Sequence, residues 1–127
     1  MQSRKIFLFT AAVIESTTGV VLEIAPTFVM WLLFGIQEPS PEALLVGRIA
    51  GIALLAIGTG CWISIGDSGS HSQYGLLWAM FIYNVGVCVV LAWAGSMTSM
   101  IGVVLWPVIA LHALMSIWCV VNLRTFS

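Results

Sequence analysis

Apolar residues fall into four long runs separated by short polar breaks. The first covers residues 6–36. At ~1.5 Å per residue such a helix would reach roughly 46 Å, well past the ~30 Å hydrocarbon core of a bilayer. Pro26 interrupts this run, and a proline lacks the backbone N–H that an unbroken helix needs. A span over 6–26 with a kinked or interfacial extension to 36 is therefore expected. The polar break 37–42 then offers helix-start chemistry. Ser40 suits the N-cap, Pro41 the first helical position, and Glu42 the positive end of the helix dipole. The second run covers 41–65 and ends in the polar loop 66–73. The third covers 74–94, followed by the turn 95–99. The fourth covers 100–123, just before Arg124. Runs of about 20 apolar residues are membrane-span candidates. The predicted fold is all-α, a single domain over 1–127. It is an integral membrane bundle of four transmembrane helices, the first long and kinked near Pro26.

Composition supports the same class. The chain is 61% hydrophobic and 7% charged, whereas a soluble domain carries roughly a quarter charged residues. A net charge of −1 gives no basic surface for nucleic acid. Arg4, Lys5 and Arg124 fall on the side of the termini, and Arg48 near the other side. By the positive-inside rule both termini are expected to be cytoplasmic, in a bacterial inner membrane. The tryptophans fit that register. Trp62, Trp78 and Trp118 fall near the cytoplasmic ends, Trp93 and Trp106 near the opposite face, and Trp31 in the overhang beyond it. Ser3-Arg4-Lys5 mimics the start of a signal peptide. The apolar stretch behind it is too long for one and closes on no small-residue cleavage site, so a retained span is expected. Cys61, Cys88 and Cys119 are isolated in apolar runs, without metal-ligand spacing, and read as buried thiols.

Glu15 changes the picture, because a carboxylate within an apolar run must face protein, water or a partner charge. Counting helical rise from the cytoplasmic ends, Glu15 lies roughly 14 Å deep, Asn84 roughly 15 Å and His112 roughly 18 Å. Three runs thus bring polar groups to one level, with Thr18 and Ser116 close enough to join them. Glu15, Asn84 and His112 are the candidate ligand or proton site. Glu15 would hold the proton or cation, while the amide and imidazole position the ligand. Interhelical hydrogen bonding that only fixes the bundle is the alternative. Farther out, Glu23 and Arg48 lie at roughly 26 and 27 Å, equal in depth and opposite in sign. They are expected to form an outer ion pair or gate. Gly19, Gly47 and Gly51 mark close helix packing. Pro107 is expected to kink the fourth helix one turn before His112 and widen a cavity there.

No metalloprotease, hydrolase, P-loop or dinucleotide motif occurs. His71 and His112 lie at different depths and make a poor metal or haem pair. The chain names no cofactor, and a non-enzyme is favoured. The segment Val13-Ile14-Glu15-Ser16-Thr17-Thr18-Gly19 resembles the first helix of small multidrug-resistance transporters, four-helix proteins of similar size with an essential glutamate there. The resemblance covers that segment alone. The family's Trp-Ser-Gly pattern is missing from 75–90, so the likeness is one of architecture. The leading expectation is a small membrane protein that binds or translocates a small solute, with proton coupling through Glu15. An accessory subunit of a larger membrane complex and a membrane enzyme acting on a lipid or quinone are the alternatives. A homo-oligomer or a larger complex is the expected setting.

Overall fold

A computed structural model describes residues 1–125. Five helices follow one another: α1 (Gln2–Ile24), α2 (Pro26–Phe34), α3 (Pro41–Ser64), α4 (His71–Met97) and α5 (Leu105–Arg124). No strand occurs among the described residues. α1, α3, α4 and α5 are long and apolar enough to cross a membrane. α2 has nine residues and at ~1.5 Å each falls far short of a bilayer core. The architecture is a bundle of four candidate spans with one short helix inserted after the first.

The chain breaks between α1 and α2 at Ala25, with φ −142° and ψ 56°. Pro26 takes the first position of the new helix, where its missing N–H costs nothing. The long first helix is thus two helices meeting at the expected place. α2 ends at Gly35, in the left-handed region at φ 72°, a conformation that glycine adopts without a Cβ penalty. Its last carbonyls are bound by the irregular segment before α5. Gly102 N–H donates to Leu33 O at 3.1 Å, and Val104 N–H to Leu32 O at 3.1 Å.

Four boundaries shift by three residues or more from the sequence expectation, the first being the start of α1 at Gln2 rather than at residue 6. α4 starts at His71, inside the polar stretch, because the Ser70 hydroxyl accepts from Gln73 N–H at 3.0 Å and caps it. Gln73 then buries its side chain. Nε2 donates to Ser64 O at 2.9 Å, and Oε1 accepts from Gly69 N–H at 3.1 Å and from Arg4 at 3.5 Å. At its far end α4 runs through Gly95 to Met97, since Gly95 is buried against Leu105 and Trp106. α5 begins at Leu105, not near residue 100. Pro107 therefore sits in the first turn, where helical N–H groups lack intrahelical partners anyway, and it makes no mid-helix kink. Ser40 caps α3 as its sequence indicates, accepting from Ala43 N–H at 3.3 Å.

Packing divides the bundle into two tight pairs. α1 lies along α3, and α4 along α5; other helix pairs touch at only a few points. The α1–α3 seam is built on glycine. Gly19 faces Gly51, Gly51 faces Leu22 and Glu23, and Gly58 faces Ala12 and Ser16. Backbones approach closely there because no Cβ stands between them. Near the N-terminal end of α1, the pairs meet in a filled core of Phe7, Leu8, Ala11, Ala12, Cys61, Leu77, Met80, Met115 and Cys119. Trp118 closes this end, edge-on to Phe7 and donating Nε1–H to Ser3 Oγ at 3.0 Å. It belongs to the bundle, whereas Trp62, Trp78, Trp93 and Trp106 are exposed, as interfacial belt residues are. The opposite half of the bundle is hollow.

Candidate functional site

Two chambers occupy the hollow half. The first measures about 370 Å³ and lies between α1 and α5. Ile14, Glu15, Thr17, Thr18 and Val21 form one wall; Val104, Val108, Leu111 and His112 form the other. The second measures about 330 Å³ and extends between α3 and α4, past Val46, Ala50, Leu54, Val87 and Leu91. α2 roofs both through Val29 and Leu33. Thr18, Tyr83, Val108 and His112 line both chambers and so form the partition between them. Apart from these and from Glu15 and Thr17 on the first chamber, the walls are apolar. Each chamber falls between helices that barely touch, and exposed residues such as Thr17 and Leu111 rim the first one.

Polar chemistry converges on that partition. Glu15 is 3% exposed. Its Oε2 accepts a hydrogen bond from the Tyr83 hydroxyl at 3.0 Å. α1 and α4 make no close backbone approach, so this bond crosses the diagonal of the bundle. Tyr83 also sets its ring edge-on to His112, with centroids 5.8 Å apart. His112 Nδ1 lies 2.9 Å from Val108 O. A carbonyl can only accept, so Nδ1 carries a proton. Ser116 supports the same turn by donating to His112 O at 2.8 Å.

The residues singled out from sequence therefore divide. Glu15, His112 and Thr18 come together on the first chamber. Asn84 is buried, at 1% exposed, but lines neither chamber, and its Nδ2 donates to Met80 O of its own helix at 2.7 Å. One residue step turns a helix by about 100°, which puts Tyr83 on the chamber and Asn84 on the neighbouring face. The expected Glu23–Arg48 pair does not form. Glu23 Oε1 is buried over Gly51 and has no hydrogen-bond partner among the described residues. Arg48 is exposed, because Gly47 and Gly51 take the seam with α1 and turn it to the flank.

Tyr83 is the site residue that sequence reasoning passed over. A signal was present: tyrosine favours the membrane interface, while Tyr83 sits in the middle of an apolar run, where its hydroxyl needs a partner. Cys88 donates weakly to Ile109 O at 3.5 Å, and all three cysteines are free. Among the described residues no cluster of three metal-ligating side chains occurs. No protein-family model, curated protein or solved structure matches the chain.

Proposed function

We propose that this protein binds a small, largely apolar molecule inside the membrane and holds the polar end of that molecule against Glu15, Tyr83 and His112. The observation that carries this reading is the Tyr83–Glu15 hydrogen bond at the wall of an apolar chamber of about 370 Å³. Apolar pockets with a few convergent polar groups are the usual form of small-molecule sites. An ionisable residue at mid-membrane also points to function ahead of packing. Entry would be sideways from the lipid, through the loose seam between α1 and α5. Tyr83 and His112 stand between the two chambers, so movement of the Tyr83 ring would join them. A solute could then pass from the α1–α5 flank to the α3–α4 flank, with Glu15 as the proton site of that step. The setting proposed for this activity is a bacterial inner membrane, with both termini cytoplasmic.

Native mass spectrometry of protein released from its own membranes tests the reading. Wild type should carry a small-molecule adduct. Val29→Trp, which fills both chambers from the roof, should lose it, and Glu15→Gln should weaken it. An adduct of equal abundance in Val29→Trp would place the molecule elsewhere, and no adduct in wild type would count against occupancy.

A further inference from the structure

The second chamber does not end at the bundle wall. Its polar lining, Thr18, Tyr83 and His112, is confined to the partition, and the rest of its surface is apolar. Away from the partition it is lined by Val46 and Ala50 of α3. Both are exposed, Val46 at 63%, so the chamber opens on the α3–α4 flank. α3 and α4 meet at only a few points, and nothing zips that seam. Across the mouth, Tyr83, Val87 and Leu91 follow four-residue steps on one face of α4. These three side chains line the chamber and also a groove of about 420 Å³ on the outer surface of α4. Ile82, Gly86 and Val90 form the rest of that groove, and all three are exposed. Chamber and groove are thus separated by one row of side chains. Gly86 gives the groove its depth. A Cβ there would meet no neighbour within 4 Å, unlike one at Gly19, Gly51 or Gly58 of the α1–α3 seam. Internal packing therefore accounts for the seam glycines and leaves Gly86 unexplained, although glycine is a poor helix former. A glycine at that position leaves room for something from outside the chain.

We infer that chamber and groove hold one ligand, a long-chain amphiphile whose tail outreaches the chamber. This rests on the proposed intramembrane binding site and names its ligand class. The head lies against Tyr83 and His112 at the partition. The tail fills the second chamber, leaves between Val46 and Val87, and lies along Gly86 at the lipid face. A compact ligand suits a pocket closed around it, since such pockets bury most of the ligand's surface. This chamber is open at the end away from its polar groups, and an apolar track continues from the opening. Chain length then carries no penalty. Each methylene beyond the mouth rests on groove and lipid tails, which are equally apolar surroundings. In a closed chamber the same methylenes would overpack the walls.

The test uses 1-octanol and 1-hexadecanol, each carrying an aliphatic diazirine at its methyl end. Each probe is irradiated with the purified full chain in mild detergent, and the labelled residues are located by peptide mass spectrometry. Val29→Trp gives the background from detergent-borne probe. Leu114 and Ile117 of α5, as exposed as Ile82 and Val90, give a second background within the wild-type chain. The octanol probe should label the second chamber, at Leu22 or Leu54. The hexadecanol probe should label the groove at Ile82, Gly86 or Val90, at least about tenfold above both backgrounds. Gly86→Leu fills the groove and should cut labelling at Ile82 and Val90 at least about fivefold. Unchanged labelling there overturns the tail route. Hexadecanol label spread equally over the groove and the α5 residues overturns it too, and leaves the binding site standing where octanol still labels the chamber. Hexadecanol label at Thr17 or Leu111 also overturns it, by sending the tail out between α1 and α5. No chamber label from octanol and no groove label from hexadecanol above background removes the site reading and the tail route together.

Discussion

Tyr83 donates its phenolic proton to Glu15 across 3.0 Å, joining α4 to α1 along the diagonal of the bundle. Neither helix backbone approaches the other, so these two side chains link the tight pairs at the level of the chambers. Tyr83→Phe removes the proton and leaves the Glu15 carboxyl without its donor inside an apolar wall. The expected loss is about 1–3 kcal/mol, the range for orphaning a buried polar group. Adding Glu15→Leu to that variant should restore part of the loss, because no orphan then remains. Thermal unfolding in detergent, read across the four combinations, measures the coupling. Additive losses in the double variant would mean that the two residues act separately.

Depth along each helix was legible in the sequence, whereas azimuth was not. Apolar run length against bilayer thickness defines the four spans, and Pro26 marks where the first one breaks. Glu15 and His112, which helical rise put at similar depth, both line the first chamber. The same count put Asn84 at that level, yet the chamber belongs to Tyr83, one residue earlier. A single step advances ~1.5 Å but rotates about 100°, so residues at one depth can face opposite ways. Glu23 and Arg48 failed to pair for the same reason: the glycines that zip α1 to α3 decide which way Arg48 turns. The α2 roof rests on hydrogen bonds between residues about 70 apart in sequence, from 32–33 to 102–104. No local pattern announces such contacts, and run four read as one long helix through that segment.

Gly102 tests the roof. A Cβ placed there would drive into the Leu32 carbonyl and the adjoining backbone of Leu33. Rigid backbone atoms cannot swing aside as a flexible side chain can, so Gly102→Ala should push the end of α2 off the 101–104 segment. Overpacking of this kind typically costs about 1–3 kcal/mol. It should appear as a lowered unfolding temperature together with faster hydrogen exchange at Gly35 and Val104. The filled core around Phe7 and Met115 lies at the other end and should keep its protection. Uniform loss of protection along the whole chain would contradict a local roof.

The α1–α3 seam makes a sharper demand at Gly51. An added Cβ would stand 2.8 Å from Glu23 Oε1, 2.9 Å from Gly19 O and 3.0 Å from Leu22 Cβ. Glu23 could move, but the Gly19 carbonyl could not without parting the helices. Gly51→Ala should therefore destabilise by about 1–3 kcal/mol. Gly60, whose nearest such neighbour is the far end of Leu76 at 4.0 Å, should accept alanine with a change within about 0.5 kcal/mol or a small gain from helix propensity. Comparing the two variants in one detergent removes solvent effects. Equal tolerance at both positions would show that the seam is looser than its geometry.

Glu23 and Arg48 supply the last test, since equal depth and opposite charge would ordinarily make them a pair. Arg48 is exposed and Glu23 lies over Gly51 with one oxygen buried and unpartnered among the described residues. Arg48→Gln should shift stability by no more than about 0.5 kcal/mol, as substitutions away from packed features do. Glu23→Met keeps the packing against Gly51 and deletes a buried acceptor that has no donor. It should be neutral or stabilising, because replacing an unsatisfied group by an apolar one of similar shape removes a desolvation cost. A double-mutant cycle over the two positions should give a coupling below about 0.5 kcal/mol, the scatter expected of independent sites. Coupling well above that value would mean that the two side chains meet in the membrane, with Arg48 swinging back over the seam to reach Glu23. The buried oxygen over Gly51 would then have a donor in the folded state, and Glu23→Met should destabilise instead.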